Sequence, residues 1–68
     1  MTDFTKLNEK ISESDYPIGV IAKKIGITRQ ALHNKRYGKY EFSIGEMIAL
    51  CKVLNLSNEE REKIFLGE

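Results

Sequence analysis

Gly26 constrains this chain more than any other residue, because it separates two stretches whose apolar side chains recur at helical spacing. Before it, Ile18, Ile21, Ala22 and Ile25 lie three and four apart behind Pro17. Proline suits the first helical position, where its missing amide hydrogen has no partner to lose. After it, Thr28 is placed to cap a helix over residues 28–37 with its hydroxyl, and Gly38 to stop that helix. Glycine tolerates the left-handed backbone of a sharp helix-to-helix corner, so two short helices meeting at Gly26 are expected. Ala22 keeps their crossing close, and Ile21, Ile25, Ile27 and Leu32 supply the apolar contacts that fix the angle.

The flanking segments carry the same kind of code. Phe4, Leu7 and Ile11, with Thr2 or Asp3 as a cap, predict a first helix over residues 3–14. The strongest local signal is SIGE, from Ser43 to Glu46, a capping box with Phe42 and Met47 placed as a hydrophobic staple. The helix it opens presents Ile44, Met47, Ile48, Cys51 and Leu54 as one apolar face, expected to be core, and Asn55 ends it. A second box, SNEE from Ser57 to Glu60, opens a last helix with Ile64 and Phe65 that ends near Gly67. Glu59, Glu60 and Glu62 favour its start through the helix dipole. Nothing alternates with a period of two for long enough to make a strand. The expectation is an all-α chain, a compact bundle of five short helices in one domain over 1–68, its helix-turn-helix at about 17–37.

With 68 residues, such a chain buries only about 60% of its extended surface, which leaves stability marginal. Its composition, 41% hydrophobic and 31% charged, is that of an ordinary globular domain, and its apolar runs are too short for a bilayer. Asp3 and Lys6 flank Phe4 where a secretory leader would need a basic and then an apolar run, so a cytoplasmic protein is expected. Cys51 and His33 are the single cysteine and histidine, so one chain assembles neither a disulfide framework nor a four-ligand zinc site. Cys51 lies on an apolar stripe and His33 on a polar face, which argues against a catalytic pair. No enzymatic role, metal or cofactor is expected.

The net charge of +1 favours no partner, but its distribution does. Acids dominate both ends, whereas Lys23, Lys24, Arg29, Lys35, Arg36 and Lys39 fall in a middle stretch without a single acid. A basic patch inside an otherwise acidic chain is the pattern of a phosphate-binding surface. With the corner fixed, the outward face of residues 28–37 offers Thr28, Arg29, Gln30, His33 and Asn34. Arginine can bond a guanine edge with two parallel hydrogen bonds, and glutamine or asparagine can do the same with adenine. Lys23, Arg36, Lys39 and the hydroxyls of Tyr37 and Tyr40 would flank them at phosphate height. The two tyrosines are equally suited to filling space beside Lys35.

The run IAKKIGITRQALHNKRYG resembles the helix-turn-helix of lambda-repressor-like and Cro-like regulators, and the remainder, GKYEFSIGEMIALCKVLNLSNEEREKIF, resembles short Cro-like phage proteins. The resemblance implies a lambda-repressor-like DNA-binding fold, operator DNA as partner, a homodimer on palindromic sites, and control of a lysis-lysogeny switch in the host bacterial cytoplasm, at the nucleoid. It assigns the recognition role to Arg29, Gln30, His33 and Asn34. Two positions depart from the pattern. Tyr16, Pro17, Ile18, Gly19 and Val20 stand where the family has a polar, phosphate-reaching residue at the start of the second helix. Lys35 stands where an apolar residue closes the packing of the recognition helix, so its stem must snorkel or the helix must end early. The first departure leaves Tyr16, Ile18 and Val20 as an apolar patch suited to protein. The alternative reading is therefore an antirepressor or modulator that grips a phage repressor protein.

Overall fold

A computed structural model describes residues 2–67. Among them are five helices and no strand: α1 (Phe4–Glu13), α2 (Ile18–Ile25), α3 (Arg29–Arg36), α4 (Ile44–Val53) and α5 (Asn58–Phe65). They pack into a globule of 28 × 24 × 20 Å, so the all-α bundle expected from the sequence is what forms. No helix among the described residues is long and apolar enough to cross a membrane.

The helix starts follow the local code closely. Asp3 accepts from the Lys6 amide, and Thr28 from the Ala31 amide. Ser43 and Ser57 each close a complete capping box, the serine hydroxyl accepting from the third helical amide while Glu46 or Glu60 accepts from the serine amide. Pro17 is the exception. It is the N-cap of α2 rather than the first helical residue, with ψ at 154° and its carbonyl accepting from the Val20 and Ile21 amides. Its ring fixes φ near the helical value in either role, so the sequence does not distinguish the two positions.

Four helices are followed by a residue with positive φ: Gly26 at 84°, Gly38 at 85°, Asn55 at 54° and Gly67 at 70°. After the first three the next residue's amide reaches five positions back, from Ile27 to Ala22, Lys39 to Asn34 and Leu56 to Cys51, which satisfies a terminal carbonyl and reverses the chain sharply. Gly38 has a second reason to be glycine, since a Cβ there would lie 3.2 Å from the Phe4 ring.

The core draws on every helix: Leu7 and Ile11 of α1, Ile21, Ala22 and Ile25 of α2, Leu32 of α3, Leu50 and Cys51 of α4, Ile64 and Phe65 of α5, with Phe42 ahead of α4. Phe42 and Phe65 meet edge to face at 6.3 Å. Most of the expected core is there, but α4 is turned relative to the face its periodicity suggested. Ile44 and Ile48 are exposed at 74% and 50%, whereas Leu50, absent from that face, is fully buried. The cause is composition. Ile44, Met47, Ile48, Ala49, Leu50, Cys51, Val53 and Leu54 surround α4 almost completely, so spacing alone cannot choose a side. The choice is made by packing, chiefly against α2.

Candidate functional site

Helix α3 is short and polar, and Leu32 is its one buried residue. A single apolar anchor fixes little, and the rest of its position comes from three constraints. At its start, the left-handed turn at Gly26 and the Thr28 cap set the angle against α2. At its end, two polar clasps grip it from opposite sides. Asn8 on α1 donates to the Arg36 carbonyl at 3.0 Å and accepts from Arg36 Nε at 2.6 Å. On the other side, Lys35 Nζ reaches Glu46 Oε1 on α4 at 2.5 Å.

The Lys35–Glu46 contact answers the question raised by a lysine at an apolar position. Both side chains are only 18% exposed, and α3 continues past the lysine to Arg36. Its charge is met by the glutamate that also caps α4 through the Ser43 amide. The Lys35 ammonium, then the Ser43 amide, hold the Glu46 carboxyl below its ordinary range. Tyr37 and Tyr40 do not fill the space beside Lys35, being 60% and 57% exposed.

The outward face presents Thr28, Arg29, Gln30 and His33 to solvent, with Asn34 half-buried one turn further on. Arg29, Gln30 and His33 line one shallow concavity. Gln30 Nε2 donates to Asn34 Oδ1 at 3.2 Å, joining two amides across one turn. Arg29 lies along the first turn of α2, its Cδ 3.9 Å from where a Cβ on Gly19 would be. His33 packs edge-on against Tyr37 at 5.0 Å, and the Arg36 guanidinium sits 5.0 Å from the same ring.

The flanking bases divide into two groups. Lys35 is neutralised by Glu46, and Arg36 is half-buried and tied to Asn8, so its first role is structural. Lys23, Lys24, Arg29 and Lys39 are exposed, and none of them enters an ion pair among the described residues. Lys39 lies over the Tyr40 ring at 5.8 Å. Lys24, expected in the basic patch but not at the interface, lies over the Tyr16 ring at 4.8 Å. No spacing rule pairs residues 16 and 24, because the chain turns at Pro17 between them.

Of the proposed protein-binding residues, Tyr16 and Val20 are exposed at 43% and 39%. Ile18 is not a free anchor, since it packs against the core. Cys51 is buried in the core, where desolvation raises its thiol pKa, and His33 is on the solvent face of α3. Compared with protein-family models, with curated proteins and with solved structures, the chain gives no match.

Proposed function

We propose that this chain is a small sequence-specific DNA-binding regulator, of the lambda-repressor-like and Cro-like kind its sequence resembles, with α3 entering the major groove. One observation carries the reading: an acid-free helix face held outward by a rigid turn, with Thr28, Arg29, Gln30 and His33 exposed and Lys23, Lys24 and Lys39 around it without acidic partners. Such a face has the donors and acceptors to read base edges and the charges to hold phosphates beside them. Two copies would address half-sites about 34 Å apart on a palindromic operator.

Fluorescence anisotropy on labelled duplex DNA tests this. If Lys23, Lys24 and Lys39 each neutralise one phosphate, log affinity falls against log salt with a slope of about −2.7. Raising salt from about 50 to about 200 mM then weakens binding roughly 40-fold. No binding at the lower salt, or a flat response, overturns the proposal.

A second reading is favoured by exposed apolar side chains outside α3, namely Tyr16, Val20, Ile44 and Ile48. In it the chain is an antirepressor that binds a repressor protein. Size-exclusion chromatography with that repressor separates the two readings, and Val20→Asp is the informative change because Val20 is exposed where Ile18 is not. A complex lost on that change, without independent DNA binding, selects the second reading.

A further inference from the structure

We infer that α4 and α5 together form a docking groove for an acidic amphipathic helix of a partner protein. The inference stands whether or not α3 binds DNA. Its carrying observation is a row on α4, Ile44, Ile48 and Lys52, spaced four apart along one side of the helix. Ile44 is 74% exposed and Ile48 50%, so two large aliphatic side chains face solvent one turn apart. At its Lys52 end the row runs into a surface groove of about 320 Å³ lined by Ile48, Cys51, Lys52, Asn55, Leu56 and Arg61. Ile48, Cys51 and Leu56 make the groove apolar, Lys52 and Arg61 bring two positive charges to it, and none of the six is acidic.

Elsewhere on α1 and α5 cations are matched: Lys10 meets Glu13 and Glu60, and Lys63 meets Glu59. Lys52 and Arg61 are exposed and enter no ion pair among the described residues. The sequence around them explains why. Three and four residues to either side of Lys52 stand Ile48, Ala49, Asn55 and Leu56, and around Arg61 stand Ser57, Asn58, Ile64 and Phe65. Neither cation has an acid at the spacing that lets helical side chains pair. A second copy of the chain is a poor occupant, because a twofold contact through this groove sets the same patch against itself and brings like charges together. Nucleic acid would meet the charges but leave Ile44 and Ile48 uncovered. An amphipathic helix satisfies both demands: its apolar side chains, three and four apart, cover Ile44, Ile48 and Leu56, while its carboxylates reach Lys52 and Arg61. The aliphatic row contributes affinity by leaving water, and the two cations set orientation and reject basic segments.

The probes are two synthetic helical peptides with the same leucines at helical spacing, one flanked by glutamates and one by lysines, titrated into the full chain and followed by NMR. The glutamate peptide should shift the amides of Ile48, Lys52, Leu56 and Arg61 in a saturable way and leave those of Arg29, Gln30 and His33 in place. The lysine peptide should bind about tenfold more weakly or worse. The double change Lys52→Glu with Arg61→Glu should reverse that order, which a merely structural role of either residue does not produce. Ile48→Ser should weaken both peptides. Thermal melts verify that each variant is folded, so lost binding is not a lost fold. The inference is overturned if neither peptide binds at about 1 mM, if both bind wild type alike, or if the shifts gather on α3. Two rival occupants leave their own signatures. A wild-type dimer in sedimentation that Ile48→Ser dissociates assigns the face to a second copy, and a loss of duplex-DNA affinity in the doubly changed protein assigns the cations to phosphate; either result overturns the inference.

Discussion

Helices α3 and α4 are held in place by opposite means. In α3 only Leu32 is buried, and the remaining surface is polar, so the sequence leaves one way for it to pack. Its orientation is then finished by Asn8 on one side and Glu46 on the other. In α4 apolar residues occupy nearly every side, several faces are eligible, and the packing against its neighbours selects among them. The helix with less apolar surface is the more predictable. Hydrophobicity locates a face only where the contrast with the other faces is strong.

The sharpest challenge to this comparison is truncation of the anchors. Leu32→Ala and Leu50→Ala, both at fully buried positions, should each destabilise by about 2–5 kcal/mol in urea denaturation. Ile44→Ala should stay within about 0.5 kcal/mol of wild type. A cost at Ile44 equal to that at Leu50 would mean that α4 buries the face its periodicity suggested. A smaller effect is expected at two glycines with open space around them. Gly26→Ala should cost about 1–2 kcal/mol, because a Cβ at a φ of 84° strains the backbone although it meets nothing within 4 Å. Gly45→Ala, also without neighbours within 4 Å but inside α4, should instead stabilise by about 0.5–1 kcal/mol. Thermal melts of the pair should therefore move in opposite directions.

The smallest effect sharpens the contrast at the point where the two helices meet. Glu46→Gln leaves an oxygen to cap α4 but removes the charge opposite Lys35, and should cost about 0.5 kcal/mol at neutral pH. The carboxyl pKa of Glu46 is lower in the folded protein than its ordinary 4.5. Its ionic contribution is thus complete above pH 4.5 and is lost as the pH falls through the lowered folded value. Urea titrations of both proteins across that range should show their difference closing in acid. A difference that grows in acid would show that the charge at Glu46 does not stabilise the fold.

The parts of this architecture that were legible in the sequence are those written within three or four residues. Asp3, Thr28, Ser43 and Ser57 cap the helices they were expected to cap, and Gly26 and Gly38 make the turns expected of them. What was illegible depends on distant partners. Asn8 and Arg36 are 28 residues apart and Lys35 and Glu46 are 11 apart, so neither clasp follows from a local pattern. For the same reason Arg36 looked as available as Lys39, although it is half-buried against α1. The exposure of Thr28, Arg29, Gln30 and His33 was legible because Leu32 was the one strongly apolar residue that could turn inward. The bond between Gln30 and Asn34 is local enough to have been foreseen from a separation of four on a helix.

No helix among the described residues exceeds ten residues. Isolated helices shorter than about 12–15 residues are marginal in water, so α3 cannot keep its shape as a free peptide. The exposed face of α3 is thus borrowed from the whole molecule and comes and goes with cooperative melting of the core. Whatever binds that surface pulls the equilibrium toward the intact bundle and raises its melting temperature, which makes occupancy measurable by heat alone.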